Sequence, residues 1–363
     1  MGINMDRLPF PAKIIRGSGA LSQLGDVCRT QGNRAFILGG KTALAKTEEK
    51  IHGALAQAGI EVTASEWYGG EVTRENIHHL AEQAVKNKAD FILAVGGGKA
   101  LDTGKATAAE CHLPIITVPT IAATCAAVTP LAVLYNDKGE FAGNLFLEDC
   151  PAATVIDTTV LLDAPVTWLE AGMGDTLAKM YELRAAASRM MPTSLTISAV
   201  INGEICYDII RRFGSEARKS VQNQITSSQF DSTVDAIILF AGLSSIFGGD
   251  KLRNAAAHAI YNGFTKIPAT HEVAHGLIVG YGNLCLLALE GRSDEEITGE
   301  IRLAGSCGIP TKLSQIASMS EAELHTAAEA SAKAAAMGCM PFAVTADMVI
   351  DAIRRVDRLA DRL

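Results

Sequence analysis

Residues 91–135 read FILAVGGGKALDTGKATAAECHLPIITVPTIAATCAAVTPLAVLY, and this stretch decides the fold. Phe91–Val95 is a short apolar run with the length of a buried strand. Gly96, Gly97 and Gly98 follow at once, and without Cβ atoms the backbone there can approach a ligand closely. Lys99 to about Glu110 predicts a helix, and Leu113–Val118 a second strand closed by Pro119. Thr120–Thr124 is a small, polar turn suited to lining a cleft. Strand, glycine turn and helix together set free N–H groups and the positive end of a helix dipole where a phosphate can sit. The unit is βαβ, but it is neither GxGxxG nor GxxxxGK[ST]. Its glycines alone therefore leave a nucleotide loop and a plain strand–helix turn equally open.

Reading outward, Pro11–Arg16 predicts an edge strand, Ala20–Gln31 a helix, Ala35–Leu38 a strand before Gly39-Gly40, and Lys41–Gly59 a helix. Val62–Trp67 predicts a strand and Thr73–Lys88 a helix with Thr73 as its N-cap. Phe141–Leu147 reads as a hairpin piece and Ala153–Ile156 as the last strand. This alternation predicts a mostly parallel sheet covered on both faces. After Asp163-Ala164-Pro165 the pattern turns helical: Val166–Met190, Leu195–Phe213, Ser228–Phe247, Ala255–Phe264, His275–Leu289, Asp294–Ala304, Glu321–Ala335 and Ala346–Arg362. Gly248-Gly249-Asp250 and Gly308-Ile309-Pro310 read as separating turns. Two domains are expected, residues 1–163 of α/β type and residues 164–363 all-helical.

The chain has 363 residues, 48% hydrophobic and 20% charged, enough for a large core. A net charge of −8 argues against nucleic acid as a partner. No uninterrupted apolar run suits a membrane span, and MGINMDRLPFP lacks the basic start and apolar core of a signal peptide. Asp6 stands where a myristoylation motif needs Ser or Thr. Eight scattered cysteines without a CxxC pair read as reduced thiols, so a cytoplasmic protein is expected. Cys125 differs from the other seven in lying within the polar turn.

Three residues of the helical half form a workable metal set: Asp175 in AGMGDTLAKM, His258 in NAAAHAIYNGF and His275 in THEVAHGLIVGYG. One carboxylate and two imidazoles suit Zn²⁺ or Fe²⁺ and leave a position open for a substrate oxygen. Distant in sequence, they read by themselves more readily as core or interface histidines and as a helix carboxylate that caps or pairs with Lys179 at i+4.

The segments GGGKALDTGKA, VPTIAATCAAVTPLAVLY, AGMGDTLAK, AAAHAIYNGF and AHGLIVGYG occur in an order and spacing similar to those of the glycerol dehydrogenase branch of the iron-containing (group III) alcohol dehydrogenases. FPAKIIRGSGAL and WYGGE resemble that family too, so the likeness spans essentially the whole chain. The resemblance implies a Rossmann-like NAD(P)-binding domain, an all-helical metal- and substrate-binding domain of the dehydroquinate synthase-like fold, and an active site in the cleft between them. It implies that Gly97, Gly98, Lys99 and Asp102 hold the pyrophosphate and nearby ribose, and that Thr120, Thr129, Leu131 and Tyr135 line the nicotinamide side; Gly39 and Lys41 are cofactor candidates from their place after the strand Ala35–Leu38. It implies Asp175, His258 and His275 as ligands of one divalent metal, zinc favoured over iron, acting as a Lewis acid on the substrate oxygen. Homo-oligomers are common in the family. No residue announces itself as general base; His271, four residues before His275, would share a face with it if the helix began that early.

Two departures bear on substrate and cofactor. Glycerol enzymes carry T-D-A-P where this chain has Thr124-Cys125-Ala126-Ala127, a form that resembles the hydroxycarboxylate dehydrogenase members. Cysteine for aspartate removes a polyol acceptor and a repulsion against anions. Lys179 stands where iron-type relatives have a histidine ligand, which adds positive charge and favours a three-ligand site. Together these point to a 2-hydroxy acid and 2-oxo acid pair, with glycerol as the alternative. Gly39-Gly40-Lys41 replaces the acidic residue that NAD-preferring relatives place after the strand, which admits the 2′-phosphate of NADP(H). Sugar-phosphate cyclases share fold and cofactors but need further basic residues near Lys179 and His258, and an intact ligand set argues against a catalytically silent member.

Overall fold

The computed structural model describes residues 8–363; the readings placed on the first seven residues lie outside it. The described chain divides into two compact units. The first comprises the residues up to Thr120 with Ala126–Tyr135 and Ala142–Thr158; the second comprises Ile121–Cys125, Asn136–Phe141 and Thr159–Leu363. Two short segments that precede residue 163 thus belong with the helical unit.

The first unit holds strands β1 (Ile14–Gly17), β2 (Arg34–Gly39), β3 (Glu61–Trp67), β4 (Phe91–Gly96), β5 (Ile115–Pro119), β6 (Leu131–Tyr135), β7 (Phe141–Phe146, its first residue excepted) and β8 (Ala153–Asp157). Helices α1 (Leu24–Arg29), α2 (Lys41–Gln57), α3 (Arg74–Lys86) and α4 (Gly98–Glu110) alternate with them. Six strands form a sheet in the order β1-β8-β5-β4-β2-β3, parallel at every pairing, and β6 pairs with β7 separately. Every residue of β4 and β5 is buried, as expected for strands covered on both faces. The chain runs outward from β2 to β3, then returns past β2 to β4, so the winding reverses between β2 and β4. A ligand crevice belongs at the carboxyl ends of strands flanking such a reversal, and there lie Gly39-Gly40-Lys41 and Gly96-Gly97-Gly98.

The second unit is built from α5 (Thr158–Leu162), α6 (Val166–Ala187), α7 (Ser194–Asn223), α8 (Ser228–Asp235), α9 (Ala241–Leu252), α10 (Ala256–Phe264), α11 (His275–Leu289), α12 (Asp294–Ser306), α13 (Glu321–Lys333) and α14 (Ala346–Ala360). Helix α7 runs ten residues beyond the predicted stop at Phe213, because Gly214 serves packing and does not break the helix. A Cβ there would lie 2.8 Å from Cys307 Sγ and 2.9 Å from Met173 Sδ. The expected helix from Ser228 is divided by a π-turn at Ala236–Phe240, and Asn202 Nδ2 donates to the Phe240 carbonyl and to Ser244 Oγ. The predicted Gly248-Gly249-Asp250 separator is only a kink inside α9, at Gly249 (φ 55°).

Ser228–Asp250 spans 23 residues, and its most apolar 18-residue window has mean hydropathy 1.5, which by length and composition would suit a membrane span. It is not an uninterrupted apolar run, since Asp231 and Asp235 lie within it. Its 18-residue apolar window is 61% buried, as in the core helix of a folded domain.

What positions the site is the approach of α6 to α11. A Cβ on Gly276 would meet the Ala171 carbonyl oxygen at 1.9 Å, and one on Gly174 would meet the Gly276 oxygen at 2.1 Å. The two backbones touch, and Asp175 and His275 are the residues adjoining those contacts.

Candidate active site

In the first unit, α2 and α4 begin at Gly40 and Gly97 as N-caps, and neither has a side-chain cap. Their leading N–H groups are open to an anion. Gly96 has φ 150° and its missing Cβ would press on Ala100 at 2.8 Å, so glycine is required there. Gly40 N donates to Val95 O and Thr120 N to Gly96 O, which joins the ends of β2, β4 and β5. Lys41 lies over the Trp67 ring at 4.2 Å. Lys99 pairs with Glu71 at 2.6 Å and lies 5.1 Å from the Tyr135 ring centre.

Asp102 is a correction. Expected beside the dinucleotide, it is buried and turned inward. Its Oδ1 is 2.9 Å from Lys105 Nζ and its Oδ2 accepts from Val133 N. Lys105 in turn donates to the Thr129 and Leu131 carbonyls, so this buried pair anchors β6 to α4. Thr129 and Leu131 are themselves buried beside that anchor.

In the second unit the three predicted ligands come together. Asp175 Oδ1 lies 3.4 Å from His258 Nε2 and 3.5 Å from His275 Nε2. One donor atom from each residue fits within a set no more than 4.8 Å across. Asp175 reaches it from α6, His258 from α10 and His275 from the first residue of α11. Burial would push the Asp175 carboxyl up, but Lys179 and the two imidazoles hold it well below the usual carboxylate range. Burial lowers the pKa of His275, whereas for His258 the neighbouring Glu182 carboxylate and Asp175 overcome burial and raise it. The His275 ring is also held edge-on to Tyr261, with centroids 4.2 Å apart.

His271 is not on this face. Helix α11 starts at His275, and the His271 Nε2–H is given to the Thr265 carbonyl at 2.9 Å from a separate turn, so the proposed helical relay is absent.

Lys179 is 4% exposed, yet among the described residues its ammonium makes no hydrogen bond or ion pair. Burial opposes its charge, but Asp175 and Cys125 outweigh burial and raise its pKa. Cys125 is buried with Sγ 3.8 Å from Ser245 Oγ, packed with Cys206 and Ala241. A charged lysine with no direct hydrogen bond, beside a carboxylate-and-imidazole set, is equipped to receive an anion.

Sequence reasoning passed over Glu182. It is fully buried, and its carboxylate accepts from His258 Nδ1 at 2.6 Å. The signal was present: Asp175, Lys179 and Glu182 stand at i, i+4 and i+7 along one face of α6.

The comparisons with known proteins bear on this geometry. Residues 11–158 match the sequence profile described as iron-containing alcohol dehydrogenase. Glycerol dehydrogenase of Pseudomonas putida is 34% identical over 98% of both chains. The chain belongs to the iron-containing alcohol dehydrogenase family. Hydroxycarboxylate dehydrogenase A of Escherichia coli K12 is also 34% identical, over 88% of this chain and 86% of that protein. The solved structure of a probable glycerol dehydrogenase from Sinorhizobium meliloti 1021 superposes with a TM-score of 0.89 at 28% identity, over 99% of this chain and 100% of that one. The family membership and the expected fold are thereby established, and the enzyme class is that of oxidoreductases acting on CH–OH groups.

Proposed function

We propose that this chain is a divalent-metal, NAD(P)(H)-dependent dehydrogenase that interconverts a small 2-hydroxy acid and its 2-oxo acid. The observation that carries this reading is the buried Lys179 ammonium, charged beside Asp175 yet with no direct hydrogen bond or ion pair among the described residues. A substrate carboxylate satisfies it, since a buried charge gains most from a charged hydrogen-bond partner. Cys125 supports the same reading, because cysteine lacks the carboxylate of the aspartate it replaces and is a weak acceptor for a polyol hydroxyl.

The donor set of Asp175, His258 and His275 fits a zinc-type centre with three protein ligands. A divalent ion held by them would supply Lewis acidity toward the substrate oxygen. A nicotinamide bound there would supply or accept the hydride. The chain contributes orientation: Lys179 holds the acid end of the substrate, and the glycine-capped starts of α2 and α4 hold the pyrophosphate. No carboxylate follows β2, and Lys41 offers a cation there, which supports NADP(H) as the preferred cofactor. Eight free cysteines are in keeping with a reducing, cytoplasmic setting.

The second reading is a glycerol dehydrogenase, favoured by the name of the P. putida relative and by that of the S. meliloti structure. A two-by-two steady-state assay separates the readings: 2-oxobutyrate with NADH or NADPH, and glycerol with NAD⁺ or NADP⁺. Turnover of the oxo acid with NADPH and little turnover of glycerol is expected. A strong preference for glycerol overturns the acid reading and leaves the family assignment standing.

A further inference from the structure

We infer that Glu182 is the positioning residue of the metal centre, fixing both the tautomer and the placement of His258. The inference rests on reading Asp175, His258 and His275 as metal ligands.

A carboxylate with no exposed surface is costly unless its oxygens are fully used. Glu182 uses both. Its Oε1 accepts from Ala255 N at 2.6 Å and from His258 N at 2.9 Å, and its Oε2 accepts from His258 Nδ1 at 2.6 Å. Two backbone N–H groups on one oxygen and a ring nitrogen on the other are the surroundings of an ionised carboxylate. An ionised carboxylate is acceptor-only. The Nδ1 that faces it must therefore carry the proton, which leaves Nε2, 3.4 Å from Asp175 Oδ1, as the nitrogen able to bind a metal.

The same side chain holds the backbone. Ala255 is the N-cap of α10, with φ −145° and ψ −131°, and has no side-chain cap of its own. Glu182, from α6, takes the N–H of this N-cap and the N–H three residues on, and its negative charge sits at the positive end of α10. His258 lies in the first turn of that helix, so one carboxylate sets the height of the turn and the angle of the ring. The partner histidine has no such device: His275 Nδ1 is buried with no hydrogen-bond partner, and its ring rests on Tyr261. Of the two imidazoles, only His258 has its protonation pattern dictated by the fold.

The test is Glu182→Gln, read by zinc affinity in competition with a chromophoric chelator and by the melting temperature of the metal-free protein. The amide keeps the shape but has one accepting oxygen for three donors. With that oxygen on the α10 N–H groups, the amide NH₂ faces Nδ1–H and turns or re-protonates the ring. Zinc affinity is expected to fall about 10- to 100-fold, the usual cost of losing such a carboxylate. Zinc affinity within about threefold of wild type in folded Glu182→Gln, with only the melting temperature reduced, would show a capping role alone and overturn the inference. Should the variant not fold, ¹⁵N resonances of His258 in the zinc-loaded wild type decide: a protonated Nδ1 is expected, and a protonated Nε2 contradicts. Failure of the wild type itself to bind zinc would instead strike the reading of the ligand set.

Discussion

Asp175→Asn is expected to lower kcat/KM by about 10³-fold or more with metal in excess, since loss of Lewis-acid stabilisation is worth several kcal/mol and each 1.4 kcal/mol is tenfold. Asp175 is buried and is the single carboxylate of the donor set. Asparagine keeps the volume but removes the charge that favours a divalent ion between two neutral imidazoles. It also removes the negative charge facing Lys179, leaving a buried ammonium uncompensated, so the metal-free variant should melt at a lower temperature. Kinetics at saturating zinc, paired with elemental analysis after gel filtration, check both parts. Turnover within about tenfold of wild type would show that Asp175 is not a ligand on which the reaction depends.

Lys179→Met is expected to cut kcat/KM for 2-oxobutyrate about 100-fold, mostly through KM. A hydrogen bond to a charged group contributes about 1.5–3 kcal/mol, and more is lost when one charge of a buried pair is left unmet. Methionine matches the length and flexibility of the lysine stem, so the pocket keeps its shape. An uncharged carbonyl substrate such as glyceraldehyde should lose only a few-fold, because the variant removes a contact that this substrate does not make. The comparison of the two substrates is the informative quantity. Equal losses for both would show that Lys179 merely balances the charge of Asp175, and the acid reading would lose its principal support.

The doubly wound half was legible because its signals are local. The apolar run at Phe91, the glycines after it and the Ala-rich helix are adjacent in sequence and dictate strand, turn and helix without outside help. The metal set was legible through family resemblance, since nothing in the spacing of Asp175, His258 and His275 says that α6, α10 and α11 converge. That convergence depends on Gly174 and Gly276, whose lack of a side chain acts at a distance of about a hundred residues along the chain. The expected stop of α7 at Phe213 fell short for the same reason, since a glycine that serves packing, as Gly214 does, and one that breaks a helix look alike in sequence. Asp102 carried a family expectation that the fold overrides, because Lys105 lies one turn along the same buried helix and takes its charge. His271 failed on a boundary, since α11 begins only at His275. Glu182 went unnoticed because its value lies in what it does to His258, which needs the tertiary contact.

The central claim is that turnover depends on a divalent ion held by Asp175, His258 and His275. The most direct test strips the purified protein with dipicolinate, verifies the loss by elemental analysis, and titrates zinc back while following oxidation of NADPH by 2-oxobutyrate. The account predicts no turnover in the stripped protein and a linear rise that saturates at one ion per chain. Undiminished turnover in protein without measurable divalent metal would contradict it.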